Sequence, residues 1–313
     1  MEAPQIVVVG SINIDQTVRV DALPKPGETI IGRSRGRSFG GKGFNQAISA
    51  RRFGGEVALI ARIGRDEAGE MALARLDREG LERTHVAVDE DHGTGSALVF
   101  VSDDGQNMIV VSPGANNGVD QKQIEGAASM IARSRTIVAQ LETPIEVVAK
   151  AFALARASGV RTILNPAPAV AGALEVLELV DVVTPNLTEL CVLTGMDLDS
   201  GDDGLRRAME TVVARGARQV VVTLGRDGCA AWDGDRYWRL PAFPVAALDP
   251  TGAGDVFSGV LAASLTEGMP LEAGLLHASA AAALSVTVAT ANAAPERAQI
   301  ERLLAEAHRP AFV

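Results

Sequence analysis

The segment Asp249-Pro250-Thr251-Gly252-Ala253-Gly254-Asp255 runs straight into an apolar, helix-compatible stretch at 256–265. A glycine-rich turn that opens a helix leaves the first N–H groups, here those of Gly252, Ala253 and Gly254, without intrahelical partners. They point outward with the positive end of the helix dipole, which suits an anion such as a phosphoryl group in transfer. Asp255 falls in the first turn, beside that cradle. Its carboxylate can take a proton from an attacking hydroxyl as general base, or it can simply cap the helix, a role worth about 1 kcal/mol.

A second glycine-rich turn, Gly40-Gly41-Lys42-Gly43-Phe44-Asn45, also leads into a helix. Its glycines permit close backbone approach to a ligand, and Lys42 and Asn45 offer donors. It is not a P-loop, because the chain has no Gly-x-x-x-x-Gly-Lys-Ser/Thr. After the first strand, where a dinucleotide-binding Gly-x-Gly-x-x-Gly would stand, the chain reads Gly10-Ser11-Ile12-Asn13-Ile14-Asp15. Asn13 and Asp15 would emerge at the C-terminal end of that strand, where open parallel sheets bind ligands. Two residues apart, they share a face and can hold vicinal sugar hydroxyls; each alone is equally an ordinary turn residue.

Those residues need a scaffold. The β-branched runs Ile6–Val9, 57–60, Thr136–Ala139, Arg161–Leu164, 180–184 and Gln219–Thr223 read as strands with little alternation, as in a parallel sheet covered on both faces. Between them 43–53, 69–79, Ile145–Ala157, 188–194 and 204–215 have helical period. The βαβ alternation predicts a doubly wound α/β domain spanning 1–313, with no linker or internal repeat. Segments 17–38 and 95–111 alternate differently, with a hairpin turn at Asp103-Asp104-Gly105. They either pair with each other as a small sheet that closes over a ligand or serve as edge strands. Apolar faces on such a flap predict a homodimer through the two flaps.

A net charge of −10 argues against general affinity for nucleic acid but leaves room for a phosphate held by backbone N–H groups. Cys191 and Cys229 lie in apolar stretches and read as buried thiols, and no Cys/His cluster has zinc spacing. The N-terminus carries no signal-peptide pattern, and the Ala-rich stretch 278–291 is too short to cross a bilayer, so no membrane partner and a cytoplasmic protein are expected.

Together these fragments resemble the ribokinase (PfkB-type) family of sugar kinases. The likeness runs from Val-Val-Gly-Ser-Ile-Asn-Ile-Asp through Gly-Gly-Lys-Gly-x-Asn to Asp-x-x-Gly-Ala-Gly-Asp. It continues between them in Gln140-Leu141-Glu142, 165–169, 185–189 and Thr223-Leu224-Gly225. The resemblance implies a three-layer α/β/α domain with a mostly parallel central sheet and a small β-sheet lid. It implies transfer of the ATP γ-phosphoryl group to a sugar hydroxymethyl group, foremost the 5-hydroxyl of D-ribose. Another sugar or a nucleoside is the alternative substrate, and a non-catalytic sugar sensor the alternative role.

By the same resemblance, Asn13, Asp15, Gly41, Lys42, Gly43, Asn45 and Glu142 would hold the sugar. Asp255 would deprotonate the reacting hydroxyl, with Gly252, Ala253 and Gly254 around the transferring group. Asn186 and Glu189 would organise magnesium and phosphate. Thr223, Leu224, Gly225, Arg226, Asp227, Gly228, Gly254 and Ser279 would contact ATP. A potassium ion would sit on Asp249, Thr251, Ser285, Val288 and Thr290. The pattern departs where the family has a Gly-Ala pair and then Ser, since here Thr290-Ala291 and Ala293-Ala294 stand. Phe44, where the family often has Ala, either narrows the sugar pocket or packs into the core.

Overall fold

Strand β1 (Ile6–Val9) has no polar side to turn outward, and in the computed structural model of the chain all four side chains are fully buried. Ile6 and Val8 enter one apolar cluster, Val7 and Val9 another on the opposite face. The structure describes residues 4–104, 106–198, 201–288, 293–306 and 312.

Along the chain the further strands are β2 (Asn13–Val20), β3 (Ser34–Gly40), β4 (Val57–Gly64), β5 (Val86–Asp89), β6 (Gly95–Ser102), β7 (Asn107–Ser112) and β8 (Thr136–Ala139). They continue with β9 (Arg161–Leu164), β10 (Val182–Val183), β11 (Gln219–Thr223), β12 (Cys229–Trp232) and β13 (Tyr237–Leu240). A nine-stranded sheet runs β13-β12-β11-β10-β9-β8-β1-β4-β5. Its pairs are parallel except β11–β12 and β12–β13. The 180–184 strand shortens to two residues: Val180 closes the preceding turn onto Leu177, and Pro185 has no N–H for a ladder.

Helices cover both faces. On one side lie α1 (Lys42–Arg52), Glu67–Glu79 and the last three helices; on the other lie Ile145–Ala157, α2 (Leu187–Thr194) and Asp202–Ala214. The last three are α3 (Ala253–Thr266), α4 (Leu271–Ser285) and Arg297–Glu306. Phe44 is buried and stacks on Phe39 with ring centroids 5.5 Å apart, so it packs into the core. Cys229 is buried, while Cys191 is half-exposed. Among the described residues no helix is long and apolar enough to cross a membrane.

The second sheet has four strands in the order β3-β2-β6-β7. Segments 13–20 and 95–102 pair in parallel over their whole length, so the two alternating segments do join. Asn13 and Asp15 therefore stand on the small sheet, two residues apart on one face, rather than at the tip of β1. The chain leaves β1 at Gly10 because its next backbone groups are taken elsewhere. Ser11 O accepts from Phe44 N at 2.9 Å, and Asn116 accepts from Ile12 N at 2.9 Å while donating to Ile12 O at 3.2 Å.

Candidate active site

Asp255, the third residue of α3, is 6% exposed and receives a donor on each oxygen. Asn45 Nδ2 donates to Oδ2 at 2.9 Å, and Gln46 Nε2 donates to Oδ1 at 3.1 Å. A carboxylate so held keeps its orientation but has lone pairs left for a third donor. Asn45 Oδ1 is buried and has no hydrogen-bond partner among the described residues.

The turn before α3 differs in one respect from the sequence expectation. Ala253 N is engaged, donating to Pro250 O at 3.2 Å, because the chain closes a tight turn there. In this turn, among the described residues, the N–H groups of Gly252, Gly254 and Asp255 have no backbone acceptor outside the helix. Gly252 adopts φ +79°, which a side chain would disfavour, and a Cβ on Gly254 would meet open space. Ala253 N is thus the engaged N–H of this turn, and the Asp255 N–H stands with those of Gly252 and Gly254.

At the other glycine turn the missing side chains make room for the protein's own backbone. A Cβ on Gly43 would lie 2.6 Å from the backbone of Gly10 and Ser11, and one on Gly41 would lie 2.8 Å from Asn13 N and Ser11 O. Gly41 also has φ +90°. The bare backbone lets α1 start against the end of β1. Lys42 N then donates to Glu142 Oε2 at 2.9 Å, and Ser11 Oγ donates to that same oxygen.

Asp15, Lys42, Glu142, Glu189 and Asp255 share one electrostatic neighbourhood. Burial, with Glu142 and Asp255 nearby, pushes the Asp15 carboxyl up to about 6. The Lys42 ammonium is held above its usual range chiefly by Asp255, with Glu142 and Glu189 adding to it against the opposing effect of burial. Burial raises the Glu189 carboxyl too, opposed by the Asn186 N–H and Lys42. Asn13 joins through its strand and is fixed from behind. Asn116 Nδ2 donates to Asn13 Oδ1 at 2.8 Å, which leaves the Asn13 amide N–H groups as donors.

Asn186 and Glu189 form a reciprocal capping box at the start of α2, each bond 2.8 Å. One Glu189 oxygen is thereby used and the other remains. Asn186 bridges Thr223, and Thr223 N donates to Pro185 O at 3.0 Å, which places the end of β11 beside Glu189. Beyond it Leu224, Gly225, Arg226 and Asp227 form a short turn with Arg226 and Asp227 exposed. Gly228 belongs to the hairpin, since its Cβ would lie 2.0 Å from Leu240 O. Ser279 faces the buried Cys229 thiol at 3.6 Å, and burial lifts that thiol to about 11. No hydrogen bond among the described residues links this group to Asp255.

Asp249 and Thr251 close an Asx turn, Thr251 N donating to Asp249 Oδ1 at 2.9 Å. Val286 O accepts from Leu248 N and Asp249 N, which brings 285–288 alongside. The Ser285 carbonyl accepts from Val288 N at 3.3 Å, and Val288 is exposed. Thr290 lies outside the described residues. Ala294 is buried, its carbonyl taken by Arg52 Nη1 at 2.7 Å.

Three polar residues that contact the site had no role in the sequence reading: Ser11, Gln46 and Asn116. Each acts on a partner more than a hundred positions away. Gln46 lies in a run of eight buried residues of α1, 43–50, which only the structure reveals; a polar side chain there must find a partner.

Residues 3–298 match the model of the pfkB family carbohydrate kinases. The chain is 36% identical over 282 residues to a ribokinase of Haemophilus influenzae, covering 90% of this chain and 92% of that protein. It is 33% identical to a deoxyribokinase of Salmonella typhi, over 90% of this chain and 92% of the other. Its backbone superposes on the structure of Arabidopsis thaliana ribokinase complexed with ribose and ATP with a TM-score of 0.90. The identity there is 32%, across 97% of this chain and all of that one. With the family model matched over residues 3–298, and with its fold and nearly its whole length in common with these proteins, the chain belongs to the pfkB family of carbohydrate kinases.

Proposed function

We propose that the protein is an ATP-dependent ribose kinase that phosphorylates the 5-hydroxyl of D-ribose. The observation that carries the reading is the Asp255 carboxylate, buried and doubly anchored next to the N–H groups of Gly252, Gly254 and Asp255. A base and an anion cradle side by side are what phosphoryl transfer to a hydroxyl needs. Around them stands a ring of donors and acceptors suited to a polyol. Asn13 and Lys42 donate, Asp15 and Glu142 accept, and Asn45 stands beside them on Asp255. The relatives and the plant structure named for ribose support the pentose.

In this reading the small sheet closes over bound sugar and excludes water, so that ATP is not hydrolysed. Asp255 takes the hydroxyl proton as the oxygen attacks in line. The N–H groups of Gly252, Gly254 and Asp255 receive the charge of the transferring group, and Thr223 to Gly228 with Ser279 border the nucleotide. Among the described residues no three acidic, His or Cys side chains cluster as a metal cage. The free Glu189 oxygen fits a magnesium ion that keeps most of its waters and binds ATP phosphates. Magnesium so bound would neutralise phosphate charge. Potassium would take the Asp249 carboxylate and the carbonyls of Thr251, Ser285, Val288 and Thr290.

The test is ADP release with Mg-ATP against ribose, 2-deoxyribose, other sugars and nucleosides, with and without KCl. Ribose should give the highest kcat/KM and potassium should raise it. The deoxyribokinase relative makes 2-deoxyribose the second reading, and higher kcat/KM on it would overturn the ribose assignment. Equal rates without potassium would remove the ion from the reading.

The reading also includes a homodimer through the small sheets. Leu98 and Val110 are register partners, and with Met108 they leave an apolar face 42–55% exposed. Light scattering at micromolar concentration should give twice the chain mass; a monomer mass would overturn the dimer.

A further inference from the structure

Gln46 is completely buried and makes three amide hydrogen bonds at the centre of a polar chain. Its Nε2 donates to Asp255 Oδ1 at 3.1 Å and to Asn165 Oδ1 at 3.0 Å, and its Oε1 accepts from Gln140 Nε2 at 2.6 Å. Asn165 Nδ2 in turn donates to Thr184 O at 2.8 Å, and Thr184 Oγ1 lies 3.1 Å from Ser258 Oγ on α3. Gln140, Asn165 and Thr184 each directly follow a strand, β8, β9 and β10.

The ends of this chain dictate its direction. An ionised carboxylate and a backbone carbonyl only accept, so Gln46 must turn its NH₂ to Asp255 and Asn165 must turn its NH₂ to Thr184. The Gln46 oxygen is then left for Gln140, and the Asn165 oxygen for Gln46. Each of the two amides has one orientation that satisfies every neighbour. Close helix contact brings Gln46 within reach, since a Cβ on Gly259 of α3 would lie 2.4 Å from Gln46 O.

We infer that Gln46 is a positioning residue for the reaction: it ties one oxygen of Asp255 to the ends of three parallel strands and so aims the other oxygen at the sugar hydroxyl. This rests on the reading of Asp255 as the base. The arrangement fixes a carboxylate at the tip of a helix, which otherwise could rotate about its own side-chain bonds. Asn45 alone would hold one oxygen and leave that rotation free.

The test is a double-mutant cycle on purified full-length protein, with folding checked by circular dichroism and thermal melting. Gln46→Met keeps the side-chain length and removes the amide. It should lower kcat about thirtyfold while KM for ATP stays within about twofold. In an Asp255→Asn background it should cost less than about twofold more, because its effect runs through that carboxylate. Gln46→Glu, which keeps the acceptor for Gln140 but has no N–H for Asp255, should repeat the loss if the Met variant does not fold. A folded variant with kcat within about threefold of the parent would overturn the inference. So would an equal further loss in both backgrounds, the mark of a merely structural role. Near-parental turnover of Asp255→Asn alone is a separate outcome, and it removes the base assignment itself.

Discussion

Asp255→Asn is expected to lower kcat about a thousandfold, with KM for ATP little changed and the fold intact. The size follows from the role: a positioned general base contributes about 10²–10⁴ to a rate, and the N–H cradle survives the substitution. The Asn side chain matches the carboxylate in shape: its oxygen can keep the bond from Gln46 Nε2, and its NH₂ can meet Asn45 once that amide turns its unpartnered Oδ1 towards it. Both contacts can therefore be kept, and the melting temperature should change little. Losing the charge removes the largest contribution that holds the Lys42 ammonium above its usual range. The measurement is steady-state ADP release with the melting temperature recorded beside it. A kcat within tenfold of the parent in a folded variant would mean that another group takes the proton.

How much of this could be read from the sequence depends on how local each constraint is. The strand at Ile6–Val9 was legible because four apolar β-branched residues in a row have no way to face water on either side. The glycine turns at 40–43 and 252–254 were legible as features, but the close packing at the first was not. Whether a missing Cβ makes room for a ligand or for Gly10 and Ser11 depends on which segment the fold presses against it. Asp255 was found because its signal, glycine before a helix start, is contained in seven residues. Gln46 and Asn116 were not, because a buried amide announces itself only through its partners, 209 and 103 residues away. Gln46 is doubly hidden, lying next to Asn45 on a helix where adjacent side chains diverge. The placement of Asn13 and Asp15 on the small sheet was missed for a related reason. The turn out of β1 is set by Asn116 and Phe44, and the three residues that make it carry no turn signal beyond Gly10.

Asp15 carries the second large effect, and it has two opposite parts. Asp15→Asn should raise KM for the sugar roughly a hundredfold, since bonds from hydroxyls to a charged carboxylate are worth about 1.5–3 kcal/mol. The same change should stabilise the protein at pH 7. Burial, with Glu142 and Asp255 nearby, lifts the Asp15 carboxyl from 3.8 to about 6, so the fold favours its protonated form. The stability that goes with that form is complete below about 3.8 and is lost as pH rises through about 6. At pH 7 the parent therefore bears an ionised Asp15 at a cost on the order of 1–3 kcal/mol, and an Asn there does not. The variant should melt above the parent at pH 7, and the gap should close as pH falls towards 4. In the parent, kcat/KM for the sugar should decline below about pH 6, the range in which Asp15 protonates, and that limb should vanish in the variant. Melting curves from pH 4 to 8 with matched kinetics decide it. A variant less stable than the parent at pH 7, or one whose difference does not change with pH, would mean that Asp15 is not the strained carboxylate. If the result is as expected, the protein holds a destabilising charge in place because the sugar, on binding, supplies the donors that the fold withholds.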